Sequence, residues 1–287
     1  MQKPAANLSR IFSKMTAFRQ HPQGFQLFFR HWTVKKPKAG VVLVHGLGEH
    51  TGRYSDLASF FQSHSLEMLG ADFPGFGQSS GKRGVAPGLD TYYLTIQMAI
   101  DEMRQNYPGI PIFLFGQSMG ANLALNYVLK NQPDLAGVIA TSPWIRLKKM
   151  PPAPVMTLAR VMRRIYPGFT QSNGLNPEEF TRSTEVIEAF RRDPHTHDQI
   201  AAGIGFALLE AGLALDSYEG TFPCPLLLSH GTADALTDPE ATEAFAQRVQ
   251  GPITLRLWEG LYHETYHEPE KEEVLKFLVN WIAHHVN

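Results

Sequence analysis

The sequence predicts an α/β fold: a mostly parallel sheet flanked by helices, with an inserted helical cap. Three observations predict it. Short apolar runs alternate with longer stretches of helical periodicity through most of the chain, the rhythm of strand–helix–strand units with right-handed crossovers. A Gly-x-Ser-x-Gly pentapeptide, Gly116-Gln117-Ser118-Met119-Gly120, joins an apolar run at 112–115 to a helical run through Leu123, Ala124 and Tyr127. The alternation lapses from Ile145 to about Tyr218, where helical patterns continue without a clear strand. That interruption reads as a cap over the strand ends, about residues 144–218 of a single domain spanning 1–287.

The elements follow in order. Residues 1–20 are mixed and settle nothing. Residues 24–34 are rich in aromatic and β-branched side chains, as in edge strands. The continuous apolar run 41–44 suits a parallel strand buried on both faces, and it ends in His45-Gly46-Leu47-Gly48-Glu49-His50. A helix is expected over about 54–64 and a strand over 66–71. A long helix over 89–107 stops at Pro108-Gly109. After the Ser118 unit comes a strand at 137–140. The rhythm resumes with a strand at 225–228, a helix at 239–249, a strand at 253–258 and an amphipathic helix at 270–284.

Bulk properties narrow the function. The chain has 287 residues and is 43% hydrophobic, enough for a sizeable core. Its net charge of −1 offers no basis for binding nucleic acid. The single cysteine, Cys224, excludes an internal disulfide and fits a reducing compartment. Its place in a strand-like run suits a small core residue. Lys3, Arg10 and Lys14 precede no apolar stretch, so neither a signal peptide nor a membrane span is expected, and a cytoplasmic location follows.

The pentapeptide carries the chemistry. A sharp strand-to-helix turn lifts Ser118 above the sheet, and side chains at 116 or 120 would collide with backbone, which suits glycine. The helix start aims its N–H groups and positive dipole end at the same place. A serine hydroxyl needs a base, and the base needs an acid to hold its tautomer. In this arrangement the chain order is Ser, acid, His. Asp234 follows the strand at 225–228. Asp238, just before Pro239, suits an N-cap better, and Asp216 has no strand before it. His263 follows the last strand and is the expected base. His45, also at a strand end, is its rival but suits a structural hydrogen bond. The oxyanion is expected to receive backbone N–H groups from Met119 and Leu47. No metal and no cofactor is expected.

His263-Glu264-Thr265-Tyr266-His267 also spells H-E-x-x-H, a zinc-protease signature. That motif works on a helix, where the two histidines share a face. Here it follows a strand and Gly260, and Pro269 comes two residues after His267. A zinc metallohydrolase is therefore the remote alternative. A non-catalytic binding module is opposed by an intact Ser118, Asp234 and His263.

From Phe25 onward the chain resembles the monoacylglycerol lipase and lysophospholipase branch of the α/β-hydrolases. The resemblance rests on His45-Gly46-Leu47-Gly48-Glu49-His50-Thr51-Gly52-Arg53-Tyr54, on residues 72–81, Gly116 to Gly120, Ser142-Pro143, and on residues 230–234 and 259–263. It implies an α/β-hydrolase fold and cleavage of monoacylglycerols to fatty acid and glycerol through an acyl-enzyme. A lysophospholipase or broad carboxylesterase is the alternative. It also implies that Glu49 and Arg53 line the glycerol end of the pocket; spaced i and i+4, they would equally form a local ion pair. The mammalian enzymes carry histidine three residues after the catalytic one, where this chain has Tyr266, with His267 one further on.

In the cap, residues 154–169 read as a helix. Val155, Leu158, Ala159, Met162, Ile165 and Tyr166 fall on one face, and Arg160, Arg163 and Arg164 on the other. A basic amphipathic helix suits contact with a membrane or micelle surface; packing on the sheet is the blander alternative. Residues 200–215 are apolar nearly all round and are expected to line an acyl tunnel, which favours a lipid ester substrate.

Overall fold

The computed structural model describes residues 16–286, apart from the side chains of Ala153, Val155, Leu158 and Arg163. Its centre is an eight-stranded sheet. In chain order the strands are β1 (Thr16–Gln20), β2 (Gln26–Trp32), β3 (Ala39–Val44), β4 (Leu66–Ala71), β5 (Ile112–Gln117), β6 (Gly137–Thr141), β9 (Leu226–Gly231) and β10 (Ile253–Trp258). They lie in the order β1-β2-β4-β3-β5-β6-β9-β10. β1 and β2 pair antiparallel, and β2 joins β4 antiparallel. Every other pairing is parallel.

The helices are α1 (Ser55–Ser63), α2 (Leu89–Asn106), α3 (Met119–Asn131), α4 (Ala153–Ile165), α5 (Thr184–Arg192), α6 (Ala202–Asp216), α7 (Pro239–Arg248) and α8 (Lys271–His284). The two sheet faces have separate cores. Val42, Val44 and Leu114 pack with Tyr92, Ile96 and Phe245 beneath α2, α3 and α7. Val41, Leu43, Phe113 and Phe115 pack with Leu57, Phe61, Val274 and Leu278 beneath α1 and α8. Alternate residues of one strand thus enter opposite cores, which is why these strands read as unbroken apolar runs.

From β3 the chain moves outward to β4, then returns to place β5 on the other side of β3. Strand order therefore reverses between β3 and β5, and the crevice at their carboxyl ends is where such sheets bind ligands. Val44 stands beside Gly116 across this junction. The loop after β3 and the turn after β5 are brought together by that register.

Between β6 and β9 the chain supplies α4, α5 and α6. It also supplies two short strands, β7 (Thr170–Ser172) and β8 (Gln199–Ala201), paired antiparallel. These two strands depart from the strandless cap expected from the sequence. Three residues are too few for an alternation to register, and their pairing is made only by the tertiary fold. The helix expected over 154–169 stops at Ile165, because Tyr166 precedes Pro167 and the residue before proline avoids the helical region. The helix expected from Ile200 begins at Ala202, since Ile200 and Ala201 belong to β8. Of the amphipathic face expected on α4, Val155, Leu158 and Arg163 lie outside the described side chains. Ile165 and Tyr166 stand exposed, as do Val161 and Phe169. No helix among the described residues is long and apolar enough to cross a membrane.

Candidate active site

Ser118 is the residue between β5 and α3, with φ 55° and ψ −116°. A non-glycine residue held at positive φ is strained by about 1–3 kcal/mol, so its surroundings must fix it. They do so through the main chain. Ser118 N–H donates to Thr141 O at 3.0 Å, and Ser118 O accepts from Asn122 N–H at 3.0 Å and Trp144 N–H at 3.2 Å. The flanking glycines are required by close approach. A Cβ on Gly120 would lie 2.0 Å from Val44 O, and one on Gly116 would lie 2.6 Å from Gly120 O. Any larger residue would push β3 and α3 apart and displace the turn.

Asp234 and His263 come from the turns after β9 and β10. His263 Nδ1 lies 2.6 Å from Asp234 Oδ2. Both side chains are buried, the carboxylate completely. Burial opposes the charge on Asp234, but His263 and His230 outweigh it and hold the carboxyl well below the usual carboxylate range. Burial likewise works against a protonated His263. The Asp234 anion overcomes it, with further attraction from Glu264 and Glu49, and raises the imidazole's pKa above the ordinary value. The backbone of His263 is also fixed. Its carbonyl accepts from Ser142 Oγ at 2.7 Å and Gln117 Nε2 at 3.1 Å.

Ser118 and His263 line one small cavity of about 20 Å³ together with Gly46, Leu47 and Glu49. Among the described residues no hydrogen bond joins the two side chains. Such contacts are often long in a free enzyme and close when substrate arrives. Leu47 lines this cavity and a larger one that also reaches Ser118. Met119 N–H is the first of α3, where a helix has no internal acceptor for it. Leu47, on the loop after β3, and Met119, at the start of α3, therefore stand on the two segments that the β3–β5 junction brings together.

His45 is placed differently from His263. Its Nε2 accepts Phe73 N–H at 3.0 Å, so the proton is on Nδ1, which donates to Gly46 O at 2.9 Å. Complete burial pushes its pKa down, and both ring nitrogens are used in holding the loop.

The local ion pair read from the spacing of Glu49 and Arg53 is present. Arg53 Nη1 donates to Glu49 Oε2 at 2.6 Å, and the guanidinium forms a fork on Glu264 at 2.7 and 2.8 Å. Glu49 Oε1 further accepts from Gly46 N–H at 2.6 Å and Tyr54 OH at 2.5 Å. These groups are buried and mutually satisfied. They brace the loop carrying Leu47 against the turn carrying His263 while still bordering the small cavity.

The H-E-x-x-H segment does not form a zinc-protease helix. It runs from a turn into a 3₁₀ helix over Thr265–His267. His263 faces Asp234, whereas His267 Nδ1 pairs with Glu264 at 2.7 Å. The two imidazoles have different partners and share no helix face. Tyr266 is buried and stacks on Tyr54, with ring centroids 5.6 Å apart. Neither Tyr266 nor His267 lines the small cavity or the larger one that also reaches Ser118.

The larger cavity, about 370 Å³, runs from Ser118 beneath the cap. Leu47, Trp144, Met156, Ile200, Phe206 and Leu209 supply apolar wall, so α6 contributes as the sequence suggested. Leu213 of the same helix is exposed, which limits the buried stripe to one side.

Sequence reasoning missed four residues bonded to His263 or Asp234: Gln117, Ser142, His230 and Thr237. Gln117 and Ser142 bond the His263 carbonyl across the sheet ends, and His230 and Thr237 bond Asp234 from within its own strand end and turn. Ser142 and His230 did stand in motifs noted for their resemblance, the one signal available.

A family model described as "Serine aminopeptidase, S33" matches residues 35–270. The chain belongs to that family. The solved monoacylglycerol lipase of Paleococcus ferrophilus shares the α/β-hydrolase fold and is 32% identical with TM-score 0.83, over 90% of this chain and 99% of that one. A monoacylglycerol lipase of Mycolicibacterium smegmatis is 28% identical over 92% of this chain and 95% of its own length. An uncharacterized abhydrolase domain-containing protein of Dictyostelium discoideum is 34% identical over 91% of this chain, which spans only 28% of that protein.

Proposed function

We propose that this protein is a serine hydrolase that cleaves monoacylglycerols to fatty acid and glycerol. Ser118 is the nucleophile, His263 the general base, Asp234 its orienting acid, and the Leu47 and Met119 N–H groups the oxyanion hole. His263 takes the serine proton as Oγ attacks the ester carbonyl. The carbonyl oxygen gains charge that the two N–H groups receive. The imidazolium then protonates the departing glycerol oxygen, and water repeats the sequence on the acyl-enzyme.

The observation that carries this reading is the pair of unequal cavities meeting at Ser118. The larger, at about 370 Å³, offers an apolar path for one acyl chain. The smaller, at about 20 Å³, is bordered by Glu49, Arg53 and Glu264. It has room for little more than one water-sized group, less than either glycerol or a phosphocholine head fills; its border of carboxylates and a guanidinium suits hydroxyl groups rather than a second acyl chain. The lipases among the relatives support the same substrate class. A panel tests it: monoacylglycerols of increasing acyl length, lysophosphatidylcholine of matched chain, and a short-chain ester. The expected result is the highest kcat/KM for a monoacylglycerol, rising with acyl length from short to medium chains. Indifference to acyl length, or preference for lysophosphatidylcholine, would refute it.

The substrate is presented at a lipid surface, and the outer face of the cap suits docking there. Met150, Val161, Ile165, Tyr166 and Phe169 are exposed. Arg160 and Arg164 stand on the same helix as Ile165. Apolar side chains edged by arginine fit an interfacial helix on anionic lipid. Ile165→Asp combined with Tyr166→Asp is expected to reduce co-sedimentation with phosphatidylglycerol-containing vesicles while sparing hydrolysis of a soluble ester. Equal sedimentation of variant and wild type would count against the docking face.

A further inference from the structure

Asp234 receives more donors than a triad requires. Its Oδ1 accepts the Leu236 and Thr237 N–H groups at 2.7 and 3.1 Å. Its Oδ2 meets three groups: His263 Nδ1 at 2.6 Å, Thr237 Oγ1 at 2.8 Å and His230 Nε2 at 2.9 Å. His230 lies in β9 and is completely buried, as is the carboxylate. Its Nδ1 stands 2.8 Å from Thr242 Oγ1 on α7. An ionised carboxylate only accepts hydrogen bonds, so His230 must carry its proton on Nε2. Thr242 Oγ1 meets the other ring nitrogen and holds the imidazole in place. Two imidazoles thus share one oxygen of the acid, and only one of them borders the cavity with Ser118.

We propose that His230 is a positioning residue for the reaction: its Nε2–H pins the Asp234 carboxylate and divides the charge of the shared oxygen between two imidazoles. The inference rests on the assignment of Ser118, His263 and Asp234 made above. Its physical basis is that no water reaches this carboxylate to replace a lost donor. A side chain of similar volume without the donor leaves that oxygen to His263 and Thr237 Oγ1, and raises the share of its charge that acts on His263. The titratable groups acting on His263 are Asp234, Glu264 and Glu49, and the one His230 touches is Asp234.

The test compares His230→Phe, which keeps volume and loses the donor, with His230→Gln, whose amide nitrogen can donate from a similar place. For His230→Phe, kcat is expected to fall about 10–100-fold, by analogy with the loss when the hydrogen-bond partner that orients a metal-ligating side chain is removed. KM stays unchanged. The acid limb of kcat/KM moves to higher pH, because Asp234 then acts on His263 alone. His230→Gln restores both toward wild type. A folded Phe variant with the wild-type acid limb would overturn the proposal, as would a folded Gln variant that behaves like the Phe variant. Histidine nitrogen-15 spectra of the wild type need no variant: a His230 Nε2 without its proton near neutral pH would also overturn it. Fluorophosphonate labelling separates the two levels. An unlabelled Ser118 in wild type sinks the triad assignment, whereas labelling with wild-type kinetics in a folded Phe variant sinks the role of His230 alone.

Discussion

Ser118→Ala is expected to lower kcat for monoacylglycerol hydrolysis about 10⁶-fold, the loss typical of removing a serine nucleophile. KM should change little. The acyl cavity is built by Leu47, Trp144, Phe206 and their neighbours, and it survives loss of one hydroxyl. Residual turnover of about 10³–10⁴-fold over water should remain from the oxyanion donors and substrate binding. The substitution also bears on stability. Residue 118 stays at positive φ in the variant because Thr141 O, Asn122 N–H and Trp144 N–H clamp its main chain. Alanine gains nothing there from the lost hydroxyl, so the protein should unfold at a similar temperature. Activity and stability, measured together, then separate a missing nucleophile from a damaged fold.

Asp234→Asn is expected to cost about 10⁴-fold in kcat, the scale seen when a triad acid becomes an amide. The buried carboxylate accepts from His263 Nδ1 at 2.6 Å, which keeps the other ring nitrogen, Nε2, free to take the serine proton. An amide can turn its NH₂ toward Nδ1 and stabilise the opposite tautomer. The pH profile adds a sign. His263 must be neutral to act as base, so the acid limb of kcat/KM follows its pKa. Asp234 raises that pKa, so the wild-type limb should lie above the ordinary histidine value of about 6.5. Asp234→Asn removes the attraction and should move the limb to lower pH. His230→Phe should move it the other way. Opposite shifts from two residues bonded to one another would be hard to obtain from general destabilisation. Unchanged limbs in both would leave His263 without its assigned role.

Much of this was legible in the sequence because it is local. Strands such as Val41-Val42-Leu43-Val44 lie between two cores and must be apolar throughout. The turn at Ser118 demands glycine two residues either side, since a Cβ there meets backbone oxygen. Asp234 and His263 were found by their places after strands, and those places correspond to the shared carboxyl end of the sheet. What stayed hidden depends on groups distant in the chain or on a turn whose geometry the spacing does not give. The fork from Arg53 to Glu264 joins residues 211 apart, and the sequence suggested only the four-residue spacing to Glu49. His230 lies four residues from Asp234, a spacing that suggests helix, yet it reaches the acid from a strand end. β1 and the β7–β8 pair escaped notice because short, partly exposed strands carry little hydrophobic pattern.

The central claim is that catalysis passes through a covalent bond at one serine oxygen. The most direct test is peptide mass spectrometry after incubation with a fluorophosphonate, run beside the loss of monoacylglycerol hydrolysis. The account expects one adduct, on the peptide containing Ser118, forming in step with inactivation and absent from Ser118→Ala. Full hydrolysis by protein without an adduct there, or inactivation tracking an adduct on another residue, would contradict it.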